Sequence, residues 1–304
     1  MSIWDEIKNS FRHGTVLTRL LYLNTAVFIL IKVIEVIGVL SASPALAPTV
    51  ISYLSVPASA GALLSKPWTP LTYMFTHQGF IHLLFNMLWL WWFGKIFLAY
   101  LDQRKLVSLY IMGGLAGALL YVAVFNIFPA FADTVNVSIA LGASASVMAL
   151  VIASAVWLPE MEIHLLFFGR VKLKYLALVT FLITSVFDFS VNTGGKIAHI
   201  GGALMGLAYG YGLKNGTDIG AWINSIIDFF VTLFRPGKKM KVSYRKSKAE
   251  FDARQTKTDY DYNKAKAERQ KAIDHILDKI SKGGYDSLTR EEKEILFSES
   301  QKKG

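Results

Sequence analysis

Cysteine is absent from the chain of 304 residues, and charged residues are scarce. The lack of cysteine excludes disulfide bonds and any zinc site built from thiolates. Charged side chains make up 18% of the sequence, against roughly 25% in soluble domains, whereas hydrophobic residues make up 53%. This composition excludes an ordinary soluble domain and indicates a membrane protein.

The apolar residues are gathered into six runs that are long enough to cross a membrane. A hydrocarbon layer about 30 Å thick requires roughly 20 helical residues. The sequence therefore predicts an all-α polytopic membrane protein with six transmembrane helices. The predicted spans are 17–40, 80–100, 106–127, 137–158, 172–190 and 195–213.

Lys and Arg are unevenly distributed between the two sides of these spans. The connections on one side contain only Lys66 and Lys196. Because positively charged residues are retained on the cytoplasmic side, the bias predicts cytoplasmic N- and C-termini. The C-terminal tail, residues 235–304, supports this orientation because it contains 19 of the 32 Lys and Arg residues. The basic residues assigned to the cytoplasmic side are Lys8, Arg12, Arg19, Lys95, Arg104, Lys105, Arg170, Lys172 and Lys174.

The parts of the chain outside the six spans are predicted to form several distinct segments. Residues 219–234 are apolar around most of a helix, which predicts an interfacial helix. In the tail, Gly283 and Gly284 predict a helix C-cap, and Thr289 with Glu292 predicts a capping box that opens a second helix. The predicted divisions are an interfacial segment 1–16, a six-span domain 17–215, an interfacial helix 216–234, a basic linker 235–263 and a small helical hairpin 264–304.

Four polar residues lie where the predicted spans are buried in hydrocarbon. His82 and Asn86 are four positions apart and therefore share one helix face. Ser144 and His199 lie near the starts of the fourth and sixth spans, which run in the same direction as the second. All four residues therefore reach one depth in the outer half of the membrane. Because unpartnered polar groups are costly there, the pattern indicates one shared, water-accessible site.

Small residues predict that the fourth and sixth spans pack closely together. Ala143 and Ala145 flank Ser144, and a small residue at every fourth position leaves one side of the sixth span almost without side chains. We therefore expect Ser144 and His199 to come within hydrogen-bond reach. The small-residue stripe of the sixth span consists of Gly194, Ala198, Gly202, Gly206 and Gly210, and Gly113 and Gly117 are predicted to serve packing in the third span.

Taken together, three motifs resemble those of the rhomboid family of intramembrane serine proteases. HQGFIHLLFNM at 77–87 resembles the family's paired-histidine and HxxxN pattern. LGASAS at 141–146 resembles its G-x-S motif, and AHIGGALMG at 198–206 resembles its AHxxGxxxG helix. The resemblance covers roughly residues 60–215, and the three motifs fall in order on spans two, four and six.

The resemblance implies a six-helix bundle that acts through a Ser–His dyad without an acid. Ser144 would be the nucleophile and His199 the general base, since a hydroxyl nucleophile requires an adjacent base. His82, Asn86 and the backbone N–H of Ser144 would stabilise the oxyanion. It implies no cofactor, metal or nucleic acid. The expected partners are transmembrane protein substrates, the lipid bilayer and a cytoplasmic partner of the tail, and the expected location is a bacterial plasma membrane.

Two positions depart from the family pattern. Met148 stands where the family often has a tyrosine that stacks on the catalytic histidine, and a thioether can also pack against a ring face. In the first outer connection, Thr69 follows Trp68 where the family often has arginine. The connection 41–79 is long and without obvious periodicity, and in the family it braces the protein laterally in the membrane.

The residues alone leave other interpretations open. Ser144 taken by itself is compatible with a packing role, and Ser146 is the alternative nucleophile. His77 is interpreted as a hydrogen-bonding residue at a helix start. A metal site formed by His77, His82 and His199 is disfavoured because no His-Glu-x-x-His pattern and no carboxylate accompanies these motifs. The alternative functions are an inactive rhomboid-like protein that binds transmembrane clients and a membrane transporter with a polar site.

Overall fold

Helices account for most of the protein in the computed structural model. The chain divides into two units, residues 1–235 and residues 236–304. The structure describes residues 2–166, 169–187, 189–190, 192–234 and 248–300.

Among the residues that the structure describes, three helices of the first unit are long and apolar enough to cross a membrane, by length and composition. They are α2 (Val16–Leu40), α6 (Phe80–Tyr100) and α7 (Gln103–Ile127), and α2 is preceded by the short helix α1 (Ile3–His13). The Thr15 side chain caps α2, and the Asp102 side chain caps α7 by accepting from the backbone N–H of Lys105. The bounds agree with the first three predicted spans.

The fourth predicted span begins later than the sequence indicated. The helix α8 comprises only Ser144–Trp157, so the prediction that it starts near residue 137 is wrong. Residues Ile139–Ala140 instead form a strand, β2, which pairs antiparallel with β1 (Val56–Pro57). This pairing and a positive φ of 118° at Gly142 hold the preceding chain out of a helix. Ser144 is therefore the first residue of its helix.

The fifth and sixth predicted spans are α9 and α10. The helix α9 (Leu173–Phe181) continues as a π-helical segment, Leu182–Val186, and ends short of residue 190. The helix α10 (Thr193–Lys214) has 22 residues and agrees with its predicted bounds. Because α8 and α9 are short, the count of six crossings stays a prediction.

Two small sheets among the described residues amend the prediction of a purely helical fold. Besides the β1–β2 pair, β3 (Glu162–Leu165) and β4 (Gly169–Lys172) form an antiparallel hairpin between α8 and α9. Lys172 therefore belongs to a strand and not to the predicted fifth span. It donates to Glu160 at 2.7 Å, and Lys174 at the start of α9 contacts the same carboxylate.

The long connection 41–79 is mostly helical, in contrast to the aperiodic loop that its sequence suggested. It is anchored to α7 because Tyr73 Oη donates to the Gly114 carbonyl at 2.5 Å and Tyr110 Oη donates to the Met74 carbonyl at 3.0 Å. Trp68 Nε1 donates to the carbonyl of Tyr53. The connection contains α3 (Leu46–Leu54), β1, α4 (Ala60–Ser65), α5 (Thr69–Thr72) and a 3-10 turn, Tyr73–Phe75.

Backbone-to-backbone packing joins α7, α8 and α10 at the centre of this unit. A Cβ atom placed on Gly202 would lie 2.1 Å from the carbonyl oxygen of Ala145, and one on Gly206 would lie 2.5 Å from that of Ala149. On the third helix, a Cβ atom on Gly113 would lie 2.4 Å from the Cβ atom of Ala149. These distances confirm the predicted packing of the small residues. The unit ends with α11 (Ala221–Phe234), whose Asp228 pairs with Arg104.

Within the described residues of the second unit, two α-helices are present, α12 (Lys248–Gly283) and α13 (Arg290–Ser300). Gly284 ends α12 with a φ of 73° and a hydrogen bond from its N–H to the Ile280 carbonyl. Thr289 and Glu292 form the reciprocal capping box that the sequence predicted. The helix α12 begins well before residue 264, so the helical part of the tail is longer than predicted, and residues 235–247 of the predicted linker lie outside the described residues.

Candidate active site

A cavity of about 600 Å³ lies among α6, α8, α9 and α10. Its walls include Ser144 of α8 and His199 of α10, which correspond to the fourth and sixth predicted spans. His82 and Asn86 of α6 line the same cavity. The structure therefore brings all four candidate residues together around one space.

The backbone before Ser144 is fixed by two hydrogen bonds that it donates to the long connection. The Gly142 N–H donates to the Tyr73 carbonyl at 2.9 Å, and the Ala143 N–H donates to His77 Nε2 at 3.3 Å. The N–H of Ser144 follows these two groups at the first position of α8, where it has no acceptor within the helix. It also lies at the positive end of the helix dipole. A negatively charged atom bound in the cavity would be stabilised at this position.

Gly142 combines a close contact with an unusual backbone conformation. A Cβ atom on this residue would lie 2.7 Å from Cε1 of His82, and its φ of 118° is one that side-chain-bearing residues rarely adopt. Glycine at this position thus allows the His82 ring to lie directly over the turn that leads into Ser144.

His77 has a structural role that agrees with its interpretation as a hydrogen-bonding residue. Its side chain is fully buried, Nδ1 lies 3.4 Å from the Phe75 carbonyl, and the ring meets that of His82 edge-on at 5.1 Å. Burial, with a smaller contribution from the charge of His82, lowers the pKa of His77 to about 4. The neutral ring can donate to Phe75 through Nδ1 while Nε2 accepts from Ala143.

Among the residues that the structure describes, His199 is oriented by a backbone carbonyl and by no acidic side chain. Its Nδ1 lies 3.1 Å from the carbonyl oxygen of Thr184, in the π-helical segment that follows α9. A carbonyl can only accept, so this contact places the ring proton on Nδ1 and leaves Nε2 as an acceptor. Sequence reasoning missed Thr184, because its contribution comes from the backbone and carries no side-chain signal.

Ser144 and His199 line the same cavity. Among the described residues, no hydrogen bond joins their side chains, so the expected dyad bond is not formed in this state. Catalytic hydrogen bonds are often long before substrate binds and shorten in the complex. The close packing of α8 on α10 at Gly202 limits how far the two residues can separate.

Asn86 and Met148 add an amide and a thioether to the cavity wall. Asn86 is buried, and its Nδ2 donates to the His82 carbonyl at 2.9 Å. Since an amide nitrogen carries two hydrogens, one donor remains for a ligand. Met148 is 4% exposed and occupies the position at which a tyrosine was expected from the family pattern.

The alternative nucleophile Ser146 is placed differently from Ser144. Its side chain is 1% exposed, and its hydroxyl has no hydrogen-bond partner among the described residues. It is not among the residues that line the cavity, and its Cα atom lies against Gly113 of α7. This position favours a packing role for Ser146.

The alternative metal site finds no support in the part of the chain that the structure describes. Within those residues, no group of three or more His, Asp or Glu side chains is placed to hold a metal ion. His77 and His82 are neighbours, but His77 is already engaged on both ring nitrogens.

The sequence of residues 64–216 matches the family model of the rhomboid domain. The match covers half of the chain and includes every candidate site residue. The protein belongs to the rhomboid family. It is therefore an integral membrane protein, and its family contains both active serine proteases and inactive members. In the second unit, residues 256–302 match a family of unknown function, DUF6576.

A curated relative is Rhomboid protein 1, mitochondrial, of Saccharomyces cerevisiae. It is 30% identical to this rhomboid over 154 residues, which cover 47% of this chain and 41% of the relative. The chain thus spans about two fifths of the length of the relative that it matches. The similarity is confined to part of each protein.

Proposed function

We propose that this rhomboid is an intramembrane serine endopeptidase in which Ser144 is the nucleophile and His199 is the general base. The observation that carries the proposal is the convergence of Ser144, His199, His82 and Asn86 on one cavity. A hydroxyl and an imidazole with an available Nε2 are the groups that acyl transfer requires. The family membership supports the same reaction class.

In the first half of the reaction, Ser144 Oγ attacks the carbonyl carbon of the scissile peptide bond. His199 Nε2 accepts the hydroxyl proton and returns it to the nitrogen of the departing amine. The C–N bond breaks, and an ester between Ser144 and the new carboxyl end of the substrate remains. In the second half, His199 takes a proton from water as the water oxygen attacks the ester carbon. The C–O bond to Ser144 then breaks, His199 returns the proton to Ser144 Oγ, and the substrate leaves as a carboxylic acid.

The oxyanion of the tetrahedral intermediate would be held by donors from two helices. The first is the N–H of Ser144, which opens α8 and has no acceptor inside that helix. The others are the side chains of His82 and Asn86 on α6, which line the cavity. Removing one donor of this kind costs roughly 10²–10³ in rate in enzymes where the effect is known.

The Thr184 carbonyl takes the position that an acidic side chain has in a catalytic triad. Its hydrogen bond with His199 Nδ1 selects the tautomer that the general base needs. Once His199 gains the proton from Ser144, the imidazolium faces the carbonyl end of a helical segment, which carries a partial negative charge. A dyad without an acid would thereby keep its base oriented.

The substrates are proposed to be transmembrane proteins, cleaved in or near their spanning segments. This proposal includes the six-crossing topology with cytoplasmic termini, in which water reaches Ser144 from the outer side. The relative is mitochondrial by name and gives no support for a bacterial plasma membrane, so the identity of the membrane stays a prediction.

Cleavage by the full-length protein in liposomes tests the proposal. The substrate is a single-span protein with small residues at the outer end of its helix, and the variants are His199→Ala and His164→Ala. His164 lies in β3, away from the cavity, and serves as the matched control. Wild type and His164→Ala should cleave in the presence of a chelator, whereas His199→Ala should not. Cleavage by His199→Ala at the wild-type rate would contradict the proposal, and crosslinking of an intact substrate to the wild type would favour client binding.

A further inference from the structure

A groove of about 610 Å³ lies between α1 and α2, apart from the active-site cavity. The groove walls are mainly apolar, with Trp4, Ile7 and Phe11 on α1 and Leu20 and Leu23 on α2. Trp4 and Phe11 are 73% and 48% exposed, so this apolar surface is not covered by the rest of the chain. Its volume falls in the range of about 300–1,000 Å³ that is common for ligand sites.

Three cationic side chains, Lys8, Arg12 and Arg19, line this groove, and they differ in their hydrogen-bond partners. The Arg19 guanidinium donates to the carbonyls of Phe11 and Arg12 at 3.2 and 3.1 Å, which fixes the end of α1 against α2. Lys8 and Arg12 are exposed and lie one turn apart on the same face of α1. Among the described residues that line the groove, none is acidic.

The groove continues into a surface that suits a lipid chain. Further along α2, Leu30 and Val33 are 59% and 48% exposed on a helix that is long and apolar enough to cross a membrane. In an integral membrane protein such a surface faces hydrocarbon. An occupant of the groove therefore contacts cations as well as apolar side chains, next to a helix surface that faces hydrocarbon.

We propose that the groove is a binding site for an anionic phospholipid. One acyl chain lies between Phe11 and Leu20, and the phosphate contacts Lys8 and Arg12. A guanidinium and an ammonium together are typical phosphate ligands, the first through paired hydrogen bonds and the second through its charge. The bound lipid would hold α1 at the membrane surface, in addition to the contact that Arg19 makes.

Native mass spectrometry of the full-length protein tests this site. Detergent-purified protein is titrated with phosphatidylglycerol or phosphatidylcholine of identical acyl chains, and with inorganic phosphate alone. Wild type should retain one phosphatidylglycerol more tightly than phosphatidylcholine, and it should not retain free phosphate. Equal retention of the two lipids, or retention of free phosphate, would overturn the proposal.

Two variants and a charge-matched control separate the contributions of charge and groove. Lys8→Gln with Arg12→Gln should bind phosphatidylglycerol roughly 30-fold more weakly, since each cation near an anionic headgroup contributes roughly fivefold. Lys95→Gln with Lys214→Gln removes the same charge outside the groove and should bind as wild type does. Ala26→Trp, which fills the groove from α2, should weaken binding of both lipids. If the Lys8 and Arg12 double variant binds as tightly as its control, the site is wrong.

Discussion

His199 Nδ1 and the carbonyl oxygen of Thr184 lie 3.1 Å apart, which links the general base of the proposed dyad to a helix end. Thr184 belongs to the π-helical segment Leu182–Val186, whose last turn is closed by a hydrogen bond from the Phe187 N–H to the Leu182 carbonyl. Carbonyls in the last turn of a helix lack partners within it. One of them is therefore available to His199.

The first prediction concerns the tautomer of His199. Because Thr184 can only accept, the neutral ring should carry its proton on Nδ1 and leave Nε2 free. Nitrogen NMR of protein labelled at its six histidines would report this, with His199→Asn used to assign the signal. A ring protonated on Nε2 would show that the Thr184 contact does not orient the base.

The second prediction concerns the contact of α8 with α10. Gly202→Ala places a methyl group where the carbonyl oxygen of Ala145 lies 2.1 Å away, and backbone cannot be displaced cheaply. We expect a loss of about 1–3 kcal/mol in stability together with a loss of cleavage, since Ser144 and His199 are carried by these two helices. Thermal unfolding in detergent measures the first effect.

Gly61→Ala is the matched control for Gly202→Ala. A Cβ atom at Gly61 has its nearest neighbour, Ser59 Oγ, at 3.9 Å. The Gly61→Ala variant should unfold at the wild-type temperature and cleave the substrate at the wild-type rate. Equal unfolding temperatures for the two variants would mean that the contact between Gly202 and Ala145 is looser than described.

The third prediction is a pH dependence that arises at His77. Burial lowers the pKa of His77 to about 4 in the folded protein, against about 6.5 in an unfolded chain, so the unfolded state binds the proton more readily. The contribution of neutral His77 to the free energy of unfolding is therefore fully present above pH 6.5 and is lost as the pH falls toward 4. The loss should reach up to about 3 kcal/mol, measured by denaturant unfolding across this range.

His77→Gln provides the comparison, because glutamine can accept a hydrogen bond but does not titrate in this range. Its unfolding free energy should vary less than that of wild type between pH 6.5 and pH 4. An identical pH profile for the two proteins would assign the dependence to another group.

The fourth prediction concerns the helical pair of the second unit, where two adjacent residues differ in burial. Ile276 is 2% exposed and Leu277 is 50% exposed. Ile276→Ala should destabilise this unit by about 2–5 kcal/mol, whereas Leu277→Ala should have little effect. Hydrogen exchange of residues 264–297 in the full-length protein measures the difference. Similar exchange in both variants would contradict the packing of α12 on α13.

The candidate site was predictable from the sequence to the extent that it depends on helix periodicity. The four-residue spacing of His82 and Asn86 and the small-residue stripe through Gly202 identify helix faces directly. As expected, His82 and Asn86 line the cavity, and the stripe packs α10 closely against α8. The family resemblance is confirmed by the domain match.

Features that depend on tertiary contacts were not predictable. The start of α8 is displaced to Ser144 by strand pairing at Ile139–Ala140, and the partner strand is more than 80 residues earlier in the sequence. The long connection 41–79 contains short helices that its sequence did not predict, because it has no clear hydrophobic periodicity. The role of Thr184 rests on a backbone atom, which a sequence pattern does not reveal.

The most direct measurement compares wild type, Ser144→Ala and Ser146→Ala, each purified and reconstituted into liposomes. A fluorophosphonate probe reports an activated serine, and a model transmembrane substrate reports cleavage. Wild type and Ser146→Ala should label and cleave, whereas Ser144→Ala should do neither. Labelling and cleavage by Ser144→Ala at wild-type levels would contradict the assignment of Ser144 as the nucleophile and leave it a packing residue at the start of α8.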